Sequence, residues 1–245
     1  MRNVLGRLVR LFLLIILAPL ICSCTTETLL YLSTNLNLGL FGFFFVGFVS
    51  YALLYGAILY AGGRLYSHLL FLRTLRHELT HSVAGMFFGR QVDEMLVVNP
   101  AGRAGTVSSH VTYLNTSGLD SLITLAPYYV PLFTIPLLPL RFLVDSWPRA
   151  LIDFLIGFTL AFHYAALIDE LLMQRLGLRQ PDIANTGMVF SYVIIILMNL
   201  IFLAVVKAMI DQQWPSAEHL TSFFRRSWEF YLLILQQLRN LFFGG

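Results

Sequence analysis

The sequence predicts an all-α, polytopic membrane protein with one small β element, and three observations carry that prediction. Of the 245 residues, 58% are hydrophobic and 12% charged, where soluble domains hold roughly 45–50% and 25%. Several uncharged stretches reach the ~20 residues that a helix needs to cross the hydrocarbon core. A group of charged and imidazole side chains, Arg73, Arg76, His77, Glu78 and His81, falls inside a mostly apolar stretch, where such groups are costly and mark function. The formal charge of +3 is too thinly spread to track a phosphate backbone, so nucleic acid is not an expected partner. Cys22 and Cys24 are too few and too close for a disulfide framework or a four-thiolate metal site.

The elements follow in order. Arg2, Arg7 and Arg10 precede an apolar run from Leu11 to Cys24, the proportions of a signal peptide or signal anchor, so residues 1–24 are either removed or retained as a helix. Leu38 to Ala61 is uncharged and makes the clearest span. Leu65 to Gly89 holds the charged group above and is read as a second crossing. Gly89, Asn99, Pro100, Gly102 and Gly105 then punctuate β-branched runs at Met95–Val98 and Thr106–Thr112, a hairpin pattern. Ser121 to Leu140 is uncharged but contains Pro127, Pro131, Pro136 and Pro139. Its helix must be kinked or broken, with the freed carbonyls met by neighbours or a polar cavity.

Ala150 to Leu172 and Ile183 to Val206 supply two further spans. The expected total is about six transmembrane helices, or five if the first segment is removed, with residues 38–210 as one intramembrane domain. Beyond Trp214-Pro215, Ser216 can cap a last helix over 216–243. There Leu220, Phe224, Tyr231, Leu235, Leu238 and Phe242 recur opposite Arg225, Arg226, Glu229, Gln237 and Arg239. That pattern describes an amphipathic helix lying in the headgroup region of a bilayer.

The chemistry concentrates in His77-Glu78-Leu79-Thr80-His81. Residues four apart on a helix share a face, so the two imidazoles can point at one ion. Zinc suits them, and a catalytic zinc requires a third protein ligand and an open position for water. Glu78, one residue past the first ligand, lies beside that water and can take its proton as a peptide carbonyl is attacked. With 6 His in the chain, composition alone would give this pattern in roughly 0.4% of such sequences. The plainer alternative is that these groups solvate one another in a helix bundle without a metal. Arg73 and Arg76 read as interfacial residues that snorkel to the headgroups, with no part in the chemistry.

The third ligand is open among His110, Asp120, Asp145, Asp153, His163, Asp169, Glu170 and Asp182. Asp182, in Gln180-Pro181-Asp182-Ile183, stands before the last long apolar run, where it can cap the helix and also reach inward. His163, in mid-span, is next, though a core histidine hydrogen-bonded across helices is its plainer reading. Asp153 reads as interfacial, and Asp169 and Glu170 as solvated residues at the end of their span.

These motifs resemble one family. His77-Glu78-Leu79-Thr80-His81-Ser82-Val83-Ala84-Gly85, the Gly89-Arg90 exit, Asn99-Pro100-Ala101-Gly102 and Gln180-Pro181-Asp182 with Thr186-Gly187 look like the site-2 protease superfamily of intramembrane zinc metallopeptidases. The nearest likeness is to its compact bacterial branch without PDZ or CBS domains, over residues 65–205. The resemblance implies zinc held by His77, His81 and an aspartate placed here at Asp182, with Glu78 as catalytic base. It also implies a membrane-anchored protein as substrate, and a place in the bacterial cytoplasmic membrane. The common Leu-Asp-Gly form of the family's second motif is absent, so Asp182 is carried over by position and flanking pattern.

Arg2, Arg7, Arg10, Arg64, Arg73 and Arg76 favour a cytoplasmic N-terminus and a cytoplasmic start to the motif helix, while Arg141, Arg149, Lys207, Arg225 and Arg226 fit later cytoplasmic ends. Counting crossings then sets Asp182 near the opposite face. The two motifs meet only if the site lies well inside the bilayer or if Ser121–Leu140 does not cross fully. The expected activity is peptide-bond hydrolysis in or near a transmembrane segment, with Met95–Val98 or Thr106–Thr112 able to hold an unwound substrate by strand addition. Rival readings are a non-catalytic metal-binding scaffold or chaperone, and a transporter lined by the proline-rich helix.

Overall fold

The computed structural model describes residues 38–98, 108–113, 120–175 and 182–211, with scattered positions between 22 and 31 and between 221 and 237. Helix α1 (Leu38–Ala61) runs into α2 (Gly63–Phe87), the motif helix. Strands β1 (Val92–Val98) and β2 (Ser108–Tyr113) follow, then α3 (Asp120–Tyr129), α4 (Leu137–Leu140) with a 3₁₀ turn at Arg141–Leu143, α5 (Ser146–Arg175), α6 (Asp182–Thr186) and α7 (Met188–Asp211). The chain divides into two units, residues 39–186 and residues 1–38 with 187–245.

Unit 39–186 is built on close helix contact. Between α1 and α2 the chain reverses at Gly62 and Gly63, with φ of 61° and 59°, left-handed values that a side chain disfavours. α1 then crosses α5 where both lack a Cβ. One added to Gly47 would stand 1.9 Å from Phe154 O, and one added to Gly157 would stand 2.0 Å from Phe44 O. Such small-residue crossings let apolar helices pack by van der Waals contact where no water drives them together. Beside the crossing, Tyr51 meets Phe158 and Phe162 edge to face at 5.1 and 5.6 Å, and Leu69 and Ala161 complete this core.

The motif helix is inside out relative to a helix in water. Its buried residues include Arg73, Thr74, Arg76, Glu78, Thr80 and Ser82, whereas Leu65, Leu72, Met86 and Phe87 are exposed. A helix whose polar side faces protein and whose apolar side faces outward is fitted to lipid. Thr74, Thr80 and Ser82 donate their hydroxyls to Leu70, Arg76 and Glu78 carbonyls, so they sit in the interior satisfied.

Among the described residues, three helices are long and apolar enough to cross a membrane: Phe41–Ala61, Ser146–Leu172 and Met188–Ile210. The expected six included three more. The motif helix is long enough but carries buried charges, and residues 1–24 lie almost wholly outside the described residues. The proline-rich segment forms no single span. Its helix stops at Tyr129 after 10 residues, about 15 Å against a hydrocarbon core of about 30 Å, and turns fill the chain to Pro136.

The hairpin is present and antiparallel, with Met95 opposite Val111 and Val97 opposite Ser109. Its first strand starts earlier than its β-branched run suggests, at Val92, with an irregularity between Val92 and Glu94. In the other unit, the last span is shorter than expected at its start, because Gly187 at φ 104° separates α6 from α7, a conformation reserved for glycine. There Lys207 Nζ lies 4.2 Å from the centre of the Tyr31 ring. The expected helix 216–243 falls mostly outside the described residues; among them, Trp228, Leu232 and Leu233 are exposed.

Candidate metal centre

Four elements of unit 39–186 build the site: α2 supplies two imidazoles, α6 a carboxylate, and α3 and α5 the groups that aim them. His77 Nε2 and His81 Nε2 are 3.2 Å apart. Asp182 Oδ2 lies 3.4 Å from His77 Nε2 and 3.9 Å from His81 Nε2. Two donors bonded to one zinc at ~2.0–2.1 Å in a tetrahedron stand about 3.3–3.4 Å apart, so this triangle already has nearly the edge lengths of a metal face. Among the described residues, it is the grouping of His, Cys and acidic side chains whose ligand atoms converge. The triad is half-buried, with 13–15% of each side chain exposed, which leaves an approach to it.

The ring orientations decide which atoms can bind. His81 Nδ1 lies 3.1 Å from Ile123 O. A carbonyl only accepts, so Nδ1 carries the proton and Nε2 keeps its lone pair. His77 Nδ1 lies 3.3 Å from Glu170 Oε2, which places a carboxylate behind the ring. His77 Nε2, His81 Nε2 and Asp182 Oδ2 thus face one point, where a shared proton or a metal ion would join them. Tyr128 donates to Asp182 Oδ2 at 3.2 Å and sets its ring edge to face with His77, 5.7 Å between centres.

The two arginines are not interfacial. Arg76 is 1% exposed; it donates to Glu170 Oε1 at 2.7 Å and to Pro127 O at 2.8 Å, and approaches His163 Nδ1 at 3.2 Å. Arg73, also buried, pairs with Asp169 and lies over the Tyr55 ring at 4.6 Å, while Tyr55 donates to both Asp169 oxygens at 3.0 Å. Asp169 and Glu170 are therefore partners of the motif helix rather than solvated residues. α5 continues to Arg175, which keeps both within it instead of at its end. Asp153 is likewise buried, held by Arg141 at 2.6 Å.

Asp182 is the candidate third ligand that meets the histidines, at the start of a five-residue helix. His163 is a core histidine accepting from Arg76, one residue removed from the metal face. His110 stands in β2 opposite Leu96, Asp120 pairs with Arg90, and Asp145 pairs with Arg149. Glu78 is buried on α2 next to His77. Glu170 behind His77, Tyr128 and the Ile123 carbonyl as groups that aim the triad are not expected from the sequence. The repeat of Arg73, Arg76/His77 and Thr80/His81 along one face was the signal that the arginines point the same way as the histidines.

Compared with protein-family models, curated proteins and solved structures, the chain matches none.

Proposed function

We propose that this chain is an intramembrane zinc metalloendopeptidase that hydrolyses a peptide bond in or near the transmembrane segment of a membrane-anchored protein. The observation that carries it is the convergence of His77 Nε2, His81 Nε2 and Asp182 Oδ2 on one point, with His81 Nδ1 against the Ile123 carbonyl and His77 Nδ1 3.3 Å from Glu170. When bound, zinc supplies a Lewis acid that activates water and polarises the scissile carbonyl. Glu78 takes the proton from the attacking water and returns it to the departing amine. Glu170 and the Ile123 carbonyl hold the two rings in place. The inside-out motif helix gives the site an apolar outer wall, so a substrate helix reaches it from lipid and unwinds there. The likeness to site-2 proteases noted in the motifs supports the same reading, and with it a place in the bacterial cytoplasmic membrane.

A two-histidine, one-carboxylate set also suits ferrous iron. What favours zinc and hydrolysis is Glu78, a base beside the first ligand. Metal analysis of the purified protein should return one zinc per chain, lost in His77→Ala and Asp182→Ala. Glu78→Gln should keep the zinc and lose cleavage of a membrane-anchored reporter by about 10²–10⁴-fold. Undiminished function in Glu78→Gln would leave a metal-binding scaffold, and a zinc-free wild type would end the reading.

A further inference from the structure

Pro127 and Pro131 stand four residues apart, the spacing of one helical hydrogen bond. In a helix, residue i donates its N–H to the carbonyl of i−4, and proline has no N–H to donate. Pro127 therefore leaves the Ile123 carbonyl open, and Pro131, two residues past the end of α3, supplies no N–H that could extend the helix onto the Pro127 carbonyl. Both carbonyls are taken by the motif helix: His81 Nδ1 lies 3.1 Å from Ile123 O and Arg76 Nη1 lies 2.8 Å from Pro127 O. One receiving group is a ring of the candidate metal centre. The other is the guanidinium that holds Glu170, which in turn stands 3.3 Å from His77 Nδ1. Pro136 and Pro139 are different, since among the described residues the motif helix makes no hydrogen bond to the carbonyls four positions before them, at Leu132 and Ile135.

We propose that Pro127 and Pro131 are positioning residues of the metal centre, whose missing N–H groups reserve two backbone carbonyls for His81 and Arg76. Pro127 weakens α3 from within, and the Ile123 carbonyl it releases fixes the His81 imidazole in the tautomer that leaves Nε2 bare; Pro131 keeps α3 from running on past Tyr129, and the Pro127 carbonyl is left to Arg76. The metal-binding part rests on the zinc reading above; the tautomer part does not.

Pro127→Ala restores an N–H that competes for Ile123 O. In the full-length, metal-free protein in detergent, imidazole ¹⁵N shifts should show His81 protonated on Nδ1 in the wild type and mixed in the variant. Zinc affinity, from competition with a chromophoric chelator, should fall about 10–100-fold. The metal-free variant should unfold at the same temperature or higher, because alanine favours the helix; a packing role would lower it. Pro131→Ala should weaken zinc through Arg76 and Glu170, and Pro139→Ala should change neither readout. Wild-type tautomer and zinc affinity in Pro127→Ala overturn the proposal, as does lowered stability with the tautomer unmoved. If the wild type takes up no zinc while the His81 tautomer still follows Pro127, the zinc reading fails and the control of His81 by proline stands.

Discussion

Glu170→Gln separates the two tasks that this side chain performs, which are neutralising Arg76 and orienting His77. Arg76 and Glu170 are 1% and 3% exposed and meet at 2.7 Å. Removing one partner of a buried pair costs about 3–5 kcal/mol, because the other charge stays buried and unpaired. Arg76 keeps two neutral acceptors, Pro127 O at 2.8 Å and His163 Nδ1 at 3.2 Å, which holds the loss near the lower figure. At about 2–4 °C per kcal/mol for a chain of this size, the metal-free variant should unfold about 6–12 °C lower in a detergent melt. Zinc affinity should fall about 10–100-fold as His77 loses the carboxylate behind it, or about 1.4–2.7 kcal/mol. The double variant Arg76→Met/Glu170→Met removes both charges and should recover most of the stability, with zinc still weak. An unchanged melt and affinity in Glu170→Gln would refute the pairing. Full recovery of zinc affinity in the double variant would show that Glu170 acts on Arg76 alone.

Three further outcomes are expected. Gly47→Ala and Gly157→Ala each set a Cβ about 2 Å from a carbonyl of the facing helix (1.9 and 2.0 Å) and should each lose at least about 1–3 kcal/mol in a chemical or thermal unfolding assay; Gly56→Ala, which meets nothing within 4 Å, should lose none. His163→Leu should keep one zinc per chain in metal analysis while unfolding more readily, since Arg76 loses the acceptor at Nδ1; a zinc-free variant would make His163 a ligand. Proline at a β1 position whose N–H points away from β2 should slow reporter cleavage at unchanged zinc content if substrate adds there as a strand; an unchanged rate would remove the hairpin from substrate binding.

What could be read from the sequence was local, and what could not was partnership across the chain. His77 and His81 are fixed by one turn of helix, and no tertiary fact is needed to set them on one face. Asp182 was legible because a carboxylate ahead of an apolar run is positioned by its own helix start. The β-hairpin followed from its glycines and β-branched runs, but its first strand took in Asp93 and Glu94: Glu94, despite its weak β propensity, pairs with Thr112, and Asp93 falls at the irregularity beside it. The pairing of Glu170 with Arg76 was illegible for a different reason. A charge near the end of an apolar run reads as solvated unless a partner is known, and Arg76 is 94 residues away. The proline segment lies between these cases. Its break was predictable from residue type, and so was the pair of carbonyls left open at Ile123 and Pro127. Which side chains would fill them was not, because that depends on α2 packing against α3. Sequence therefore located the three side chains that converge, while the shell that aims them is set by three helices whose shared polar interior reverses the pattern of a helix in water.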